Sequence, residues 1–172
     1  MKIVSYFASA VVASLMFSTS LVAADIDVSF VDEKWNGKVV PIDEVCSDYN
    51  IEAGSTPSLY IENLPDGANK VILKFNDKTF VKMDNGGHGI LSHKIEDETN
   101  NIEIPPQIGE TFDLDEGFEV VNSHTGTRFN KKEGAYLAPC SGGKGNTYTV
   151  DISIVDSNNN VLATKELVLG KY

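Results

Sequence analysis

Tyr148, Val150, Ile152 and Ile154 are spaced by two, with Thr149, Asp151 and Ser153 between them. A β-strand turns successive side chains to opposite faces, so this spacing makes one apolar and one polar face. The same pattern recurs upstream. Ile26, Val28 and Phe30 alternate with Asp27 and Ser29; Leu59 and Ile61 alternate with Ser58, Tyr60 and Glu62; Val71, Leu73 and Phe75 alternate with Lys74 and Asn76. Residues 161–169 are strand-like with the buried face unassigned, and 89–95 and 118–122 are weaker strand candidates. Pro65-Asp66-Gly67 and the clusters at 84–87, 141–145 and 157–160 carry the Gly, Asn, Asp and Ser of turns. No stretch keeps a helical period of useful length. The chain is therefore expected to be mostly β: one antiparallel, β-sandwich-like domain without repeats or linkers. Residues 100–116, with Pro105-Pro106 inside them, read as a long surface excursion.

The N-terminus has a different design. Lys2 precedes an apolar, uncharged run over residues 5–22, small residues close it at Val22-Ala23-Ala24, and Asp25 is the first acid. That order marks a secretory signal over residues 1–24, with residues 25–172 as the mature domain. A membrane anchor is the competing reading, since the run approaches the roughly 20 residues a bilayer needs. The Ser and Ala content and the Ala-Ala exit favour cleavage. No second long apolar run follows, so the mature chain is expected to have no transmembrane span and to be periplasmic or secreted.

Removing 24 of the 172 residues takes away one charge, Lys2, and moves the net charge from −11 to −12. Such an acid excess excludes nucleic acid or anionic membrane as partners held by the general field of the protein. An anionic ligand would need a local pocket working against that field. Cys46 and Cys140 are an even pair in an exported chain, which suggests one disulfide; two buried free thiols are the alternative.

Generic catalytic patterns are missing. His88 and His93 would face opposite sides of a continuous strand, and His124 is remote in sequence, so no shared metal is expected. Ser141 lacks the surroundings of a nucleophile elbow, and Gly143-Lys144-Gly145 lacks the Ser or Thr and the strand–helix setting of a phosphate loop. The acids at 113–116 resemble no calcium loop.

Several ordered segments do form a pattern. Thr56-Pro57-Ser58-Leu59 follows Cys46, and Asp77 follows the strand at 71–75. Gly87-His88-Gly89-Ile90-Leu91 comes next, then Leu114-Asp115-Glu116-Gly117 and Asn122. Gly134-Ala135-Tyr136-Leu137-Ala138-Pro139-Cys140 precedes Asn146-Thr147-Tyr148, and a closing strand runs to Gly170-Lys171-Tyr172. In order and spacing this resembles the phosphatidylethanolamine-binding (Raf-kinase-inhibitor-like) family, in a short, divergent bacterial form. The departures are specific. The double-acid turn keeps only Asp77, glycines replace the aromatic neighbours of the histidine, and Ser141-Gly142 replaces a Pro-Pro pair. Asn146 stands where a second histidine is usual, and the helix before the closing strand is missing.

The resemblance implies that family's fold with helices trimmed, and a small cavity for a phosphate-like anion or phospholipid headgroup. It implies ligand contacts from Asp77, His88, Tyr136, Pro139, Asn146 and Tyr148, with Asp77 orienting the imidazole. Arg128, Lys131, Lys132 and Lys144 would supply local positive charge, and a Cys46–Cys140 disulfide would lie beside the site. Without the resemblance, the favoured readings are His88 as a satisfied strand-end histidine and Tyr136 and Tyr148 as core residues with tethered hydroxyls. The expected function is non-enzymatic binding, without cofactor or metal, of a small anionic ligand. The alternative is a protein–protein interaction module on the same scaffold with a vestigial pocket.

Overall fold

The computed structural model describes residues 24–96, 99–126 and 133–172. The expected signal sequence up to residue 23, and Arg128, Lys131 and Lys132, lie outside the described residues. Among the described residues eight strands follow in chain order: β1 Asp27–Phe30, β2 Leu59–Glu62, β3 Lys70–Asp77, β4 Ile90–Lys94, β5 Asn101–Ile104, β6 Phe118–Asn122, β7 Thr147–Val155 and β8 Val161–Lys171. They form a three-stranded sheet in the order β1-β2-β5 and a five-stranded sheet in the order β6-β4-β3-β7-β8. Every strand pairing is antiparallel.

The period-two pattern decides what is buried. Val71, Leu73 and Phe75 of β3 and Tyr148, Val150, Ile152 and Ile154 of β7 are all buried. Their register sets Leu73 against Ile152 and Phe75 against Val150, so both strands present one apolar face. Leu59, Ile61 and Ile104 of the smaller sheet belong to the same apolar cluster, which makes this one domain with a shared core. Truncating a side chain such as Ile152 to Ala there costs about 2–5 kcal/mol. In β8, Ala163 and Leu169 are buried while Thr164, Glu166 and Val168 are exposed, which assigns the face that the sequence left open.

The surface excursion expected at 100–116 is corrected. Its first part is β5, paired with β2 through Leu59 and Ile104. Beyond Pro105-Pro106, Gln107 is 2 % exposed; its amide donates to Thr56 Oγ1 at 2.9 Å, and its carbonyl accepts from the Thr56 amide at 2.9 Å. A four-residue strand ending at two prolines offers only Ile102 and Ile104 as alternation, too little to read as a strand.

No α-helix occurs among the described residues. Two 3-10 turns, Ile42–Glu44 and Val81–Met83, are the helical elements there. None of these helices is long and apolar enough to cross a membrane.

Candidate functional site

β3 and β7 end side by side, with Asp77 opposite Tyr148. Counting by two along each strand places Asp77 on the face of Phe75 and Tyr148 on the face of Val150. The apolar layer therefore ends at this edge in a carboxylate and a phenol. The Ile90–Lys94 strand begins after Gly89, and His88 enters from that side. Its amide donates to the Phe75 carbonyl at 3.2 Å, and its carbonyl accepts from the Leu137 amide at 2.9 Å. A cleft of about 290 Å³ opens here. Asp77, His88, Asn146 and Tyr148 line it, Phe80, Met83 and Leu137 give it an apolar wall, and Asp48 and Lys144 stand exposed at its rim.

The glycines at 87 and 89 have a geometric cause. A Cβ on Gly89, whose φ is +115°, would lie 2.2 Å from the Ala135 carbonyl oxygen. One on Gly87 would lie 2.3 Å from Met83 Cα. The chain before β4 is pressed between two neighbouring backbones, and a side chain at either position would displace His88.

The hydrogen bonds fix which atoms offer donors and which offer acceptors. His88 Nδ1 lies 2.7 Å from the Leu137 carbonyl oxygen. A carbonyl only accepts, so Nδ1 carries the proton and Nε2 holds a lone pair. Nε2 has no hydrogen-bond partner among the described residues. Burial drives the His88 pKa down to about 4, against the opposing pull of the Leu137 hydrogen bond and of Asp77, with the His124 charge lowering it further. The ring is neutral at pH 7. Asp77 is 3 % exposed. Its Oδ1 accepts from the Thr79 and Phe80 amides at 2.9 and 3.0 Å, and its Oδ2 accepts from Asn146 Nδ2 at 2.6 Å. No cation lies within ion-pair distance of it among the described residues. The Tyr148 hydroxyl accepts from the Cys140 amide at 3.2 Å, and burial pushes its pKa up to about 12, so it stays protonated. Its ring meets the His88 ring edge-on at 5.3 Å.

The loop carrying Lys144 and Asn146 is held from two sides. A Cys46–Cys140 disulfide, spanning 94 residues of sequence, ties its start to the segment bearing Asp48. Its far side closes on β8: the Tyr172 main-chain oxygen accepts from Ser141 Oγ and from the Gly145 and Asn146 amides, the last two at 2.8 Å. The Gly-rich amides that an anion would have used are thus partly occupied by the chain itself.

Of the residues expected at the site, the structure brings Asp77, His88, Asn146 and Tyr148 together and leaves two aside. Tyr136 is buried against Phe75, with ring centroids 4.8 Å apart, and burial raises its pKa. Pro139 is also buried and gives its carbonyl to the Cys46 amide at 3.1 Å. Both shape the wall from behind. His93 packs edge-on against Phe118 at 4.5 Å, away from the cleft. His124, remote in sequence, is 7 % exposed and close enough for its charge to act on His88. Ser141 spends its hydroxyl on Tyr172. Cys46, Asp48 and Cys140 are near enough to share a metal, but both sulfurs are in the disulfide. Asp48, Phe80 and Met83 were missed, because they come from irregular segments with no periodicity to read. No protein-family model matches the chain and no match is found among curated proteins, so the functional reading rests on this geometry.

Proposed function

We propose that this chain is an exported, non-enzymatic binding protein, a trimmed relative of the phosphatidylethanolamine-binding family, whose cleft takes a small headgroup-sized ligand. The observation that carries the reading is the meeting of Asp77, His88, Asn146 and Tyr148, from three separate stretches of sequence, on one cleft with an apolar wall. Small-molecule sites combine an apolar lining with a few converging polar groups in this way. Binding is favoured over catalysis because burial lowers the His88 pKa to about 4, which makes its free Nε2 a weak base, and the nearby serine hydroxyl donates to a carbonyl instead of to that nitrogen. The disulfide supports an oxidising, periplasmic or secreted location.

Met83 lines the cleft and is the one methionine after residue 24, so its methyl group is a single reporter in the mature chain. Titration with phosphoethanolamine should shift that methyl resonance saturably, with affinity near millimolar, roughly −4 to −6 kcal/mol. A folded protein whose Met83 signal ignores this ligand at high concentration refutes the reading. The protein-docking alternative then leads, favoured by Ile42, Ile51 and Val81, which are 73 %, 97 % and 84 % exposed.

A further inference from the structure

We infer that the cleft selects a primary alkylammonium head over an anion, with Asp77 as its counter-charge and His88 Nε2 and Asn146 Oδ1 as further acceptors. This rests on the cleft being a ligand site, and it runs against the anionic ligand that the sequence suggested. A carboxylate that is 3 % exposed loses most of its hydration, and here three N–H donors and, among the described residues, no cation replace it. Those donors satisfy part of its acceptor capacity and stabilise its charge through their dipoles, but bring no positive charge of their own. His88 Nε2, on the cleft wall without a partner, can only accept while Nδ1 donates to Leu137. Asn146 has used an Nδ2 proton on Asp77, which leaves Oδ1 as its other polar group.

An ammonium brings three N–H donors and one positive charge, matching three acceptors and one uncompensated carboxylate. Phosphate would place negative charge beside Asp77 and its acceptor oxygens beside the His88 lone pair. The donors left for it among the described residues are neutral, the Thr79 and Tyr148 hydroxyls and the second Asn146 Nδ2 proton, apart from Lys144, which is exposed at the rim. Asp48 at the same rim adds a second acid, so the lining carries two acids and one base. Phe80, Met83 and Leu137 supply room for a short alkyl stem. A quaternary ammonium carries the charge without N–H groups, which separates hydrogen bonding from simple attraction.

The test is a set of titrations of the mature, oxidised chain at constant ionic strength, read by the Met83 methyl. Propylammonium, tetramethylammonium, propanol and inorganic phosphate are the probes. Propylammonium should bind tightest, by about tenfold or more over propanol and tetramethylammonium. Asp77→Asn, with its fold checked by the β-sheet amide spectrum, should lose about tenfold for propylammonium and leave propanol unchanged. If that variant does not fold, the exposed rim carries the test: Asp48→Asn should weaken propylammonium and Lys144→Gln strengthen it, each by about two- to threefold. Phosphate binding without propylammonium binding, equal affinity for propylammonium and propanol, or no effect of rim charge overturns the inference while leaving the cleft a ligand site. Silence of the Met83 signal toward all four probes overturns both.

Discussion

The five-stranded sheet ends twice in the same device, once at Asp156 and once at Asp77. Beyond β7, Asp156 Oδ1 accepts from the Asn158 and Asn160 amides, both at 2.8 Å, and its Oδ2 accepts from Asn160 Nδ2 at 2.9 Å. At the opposite end, Asp77 takes two local amides and one asparagine Nδ2 in the same arrangement. The surroundings separate them. Asp156 is half-exposed and all its partners lie within four residues, while Asp77 is buried and its asparagine is 69 residues away. Asp156 shows that the turn needs no burial and no distant partner. Asp77 therefore bears a desolvation cost that turn formation does not require, and the ligand role proposed above would account for it.

The largest effect expected from breaking this contrast concerns the disulfide, which clamps the Asp77 end only. In the chain-entropy picture, closing a loop of this length stabilises by about 4–5 kcal/mol, so Cys46→Ala/Cys140→Ala should lower the urea midpoint strongly. Amide exchange should rise around residues 138–146 and stay unchanged at 156–160. Equal loosening at both ends would contradict the asymmetry.

Acid comes next. The His88 pKa falls from its ordinary value near 6.5 in the unfolded chain to about 4 in the folded one. Between those values the unfolded chain binds a proton that the folded protein does not, so stability is full above pH 6.5 and is lost as pH falls toward 4. The loss amounts to about 3 kcal/mol. His93 and His124, also lowered by burial, act in the same direction. His88→Gln keeps a donor for the Leu137 carbonyl and should flatten the pH slope; a slope identical to that of the parent would remove His88 from the account.

Asp77→Ala leaves two amides and an asparagine without their acceptor and should cost about 2–3 kcal/mol in urea unfolding. Asp156→Ala should shift the midpoint by far less, because water replaces each lost partner. Matching losses would erase the distinction drawn between the two ends.

Period-two alternation made β3 and β7 legible, because each keeps the pattern over at least three apolar residues. It failed for β5, cut short by prolines. Asp77, His88, Asn146 and Tyr148 were found through the order of short motifs, since no local pattern distinguishes them. Tyr136 and Pro139 share a motif with the site but face away from it, which spacing alone does not reveal. The proposed charge preference was the least legible part: it depends on which imidazole nitrogen carries the proton, and that is set by Leu137, 49 residues from His88. Asp48 reaches the cleft only because the disulfide brings its segment there.

The Tyr172 oxygen that gathers Ser141, Gly145 and Asn146 also sets the order in which the protein can mature. During synthesis, residues 141–146 emerge well before β8, and until β8 has zipped onto β7 the loop bearing Asn146 has nothing to close against. Asp77 then lacks its settled asparagine partner, and the edge of β7 stays open to other strands. On the function proposed above, ligand capture would wait for the pairing of β7 with β8, so an incompletely folded chain would neither hold a ligand prematurely nor be stabilised by one in a wrong form.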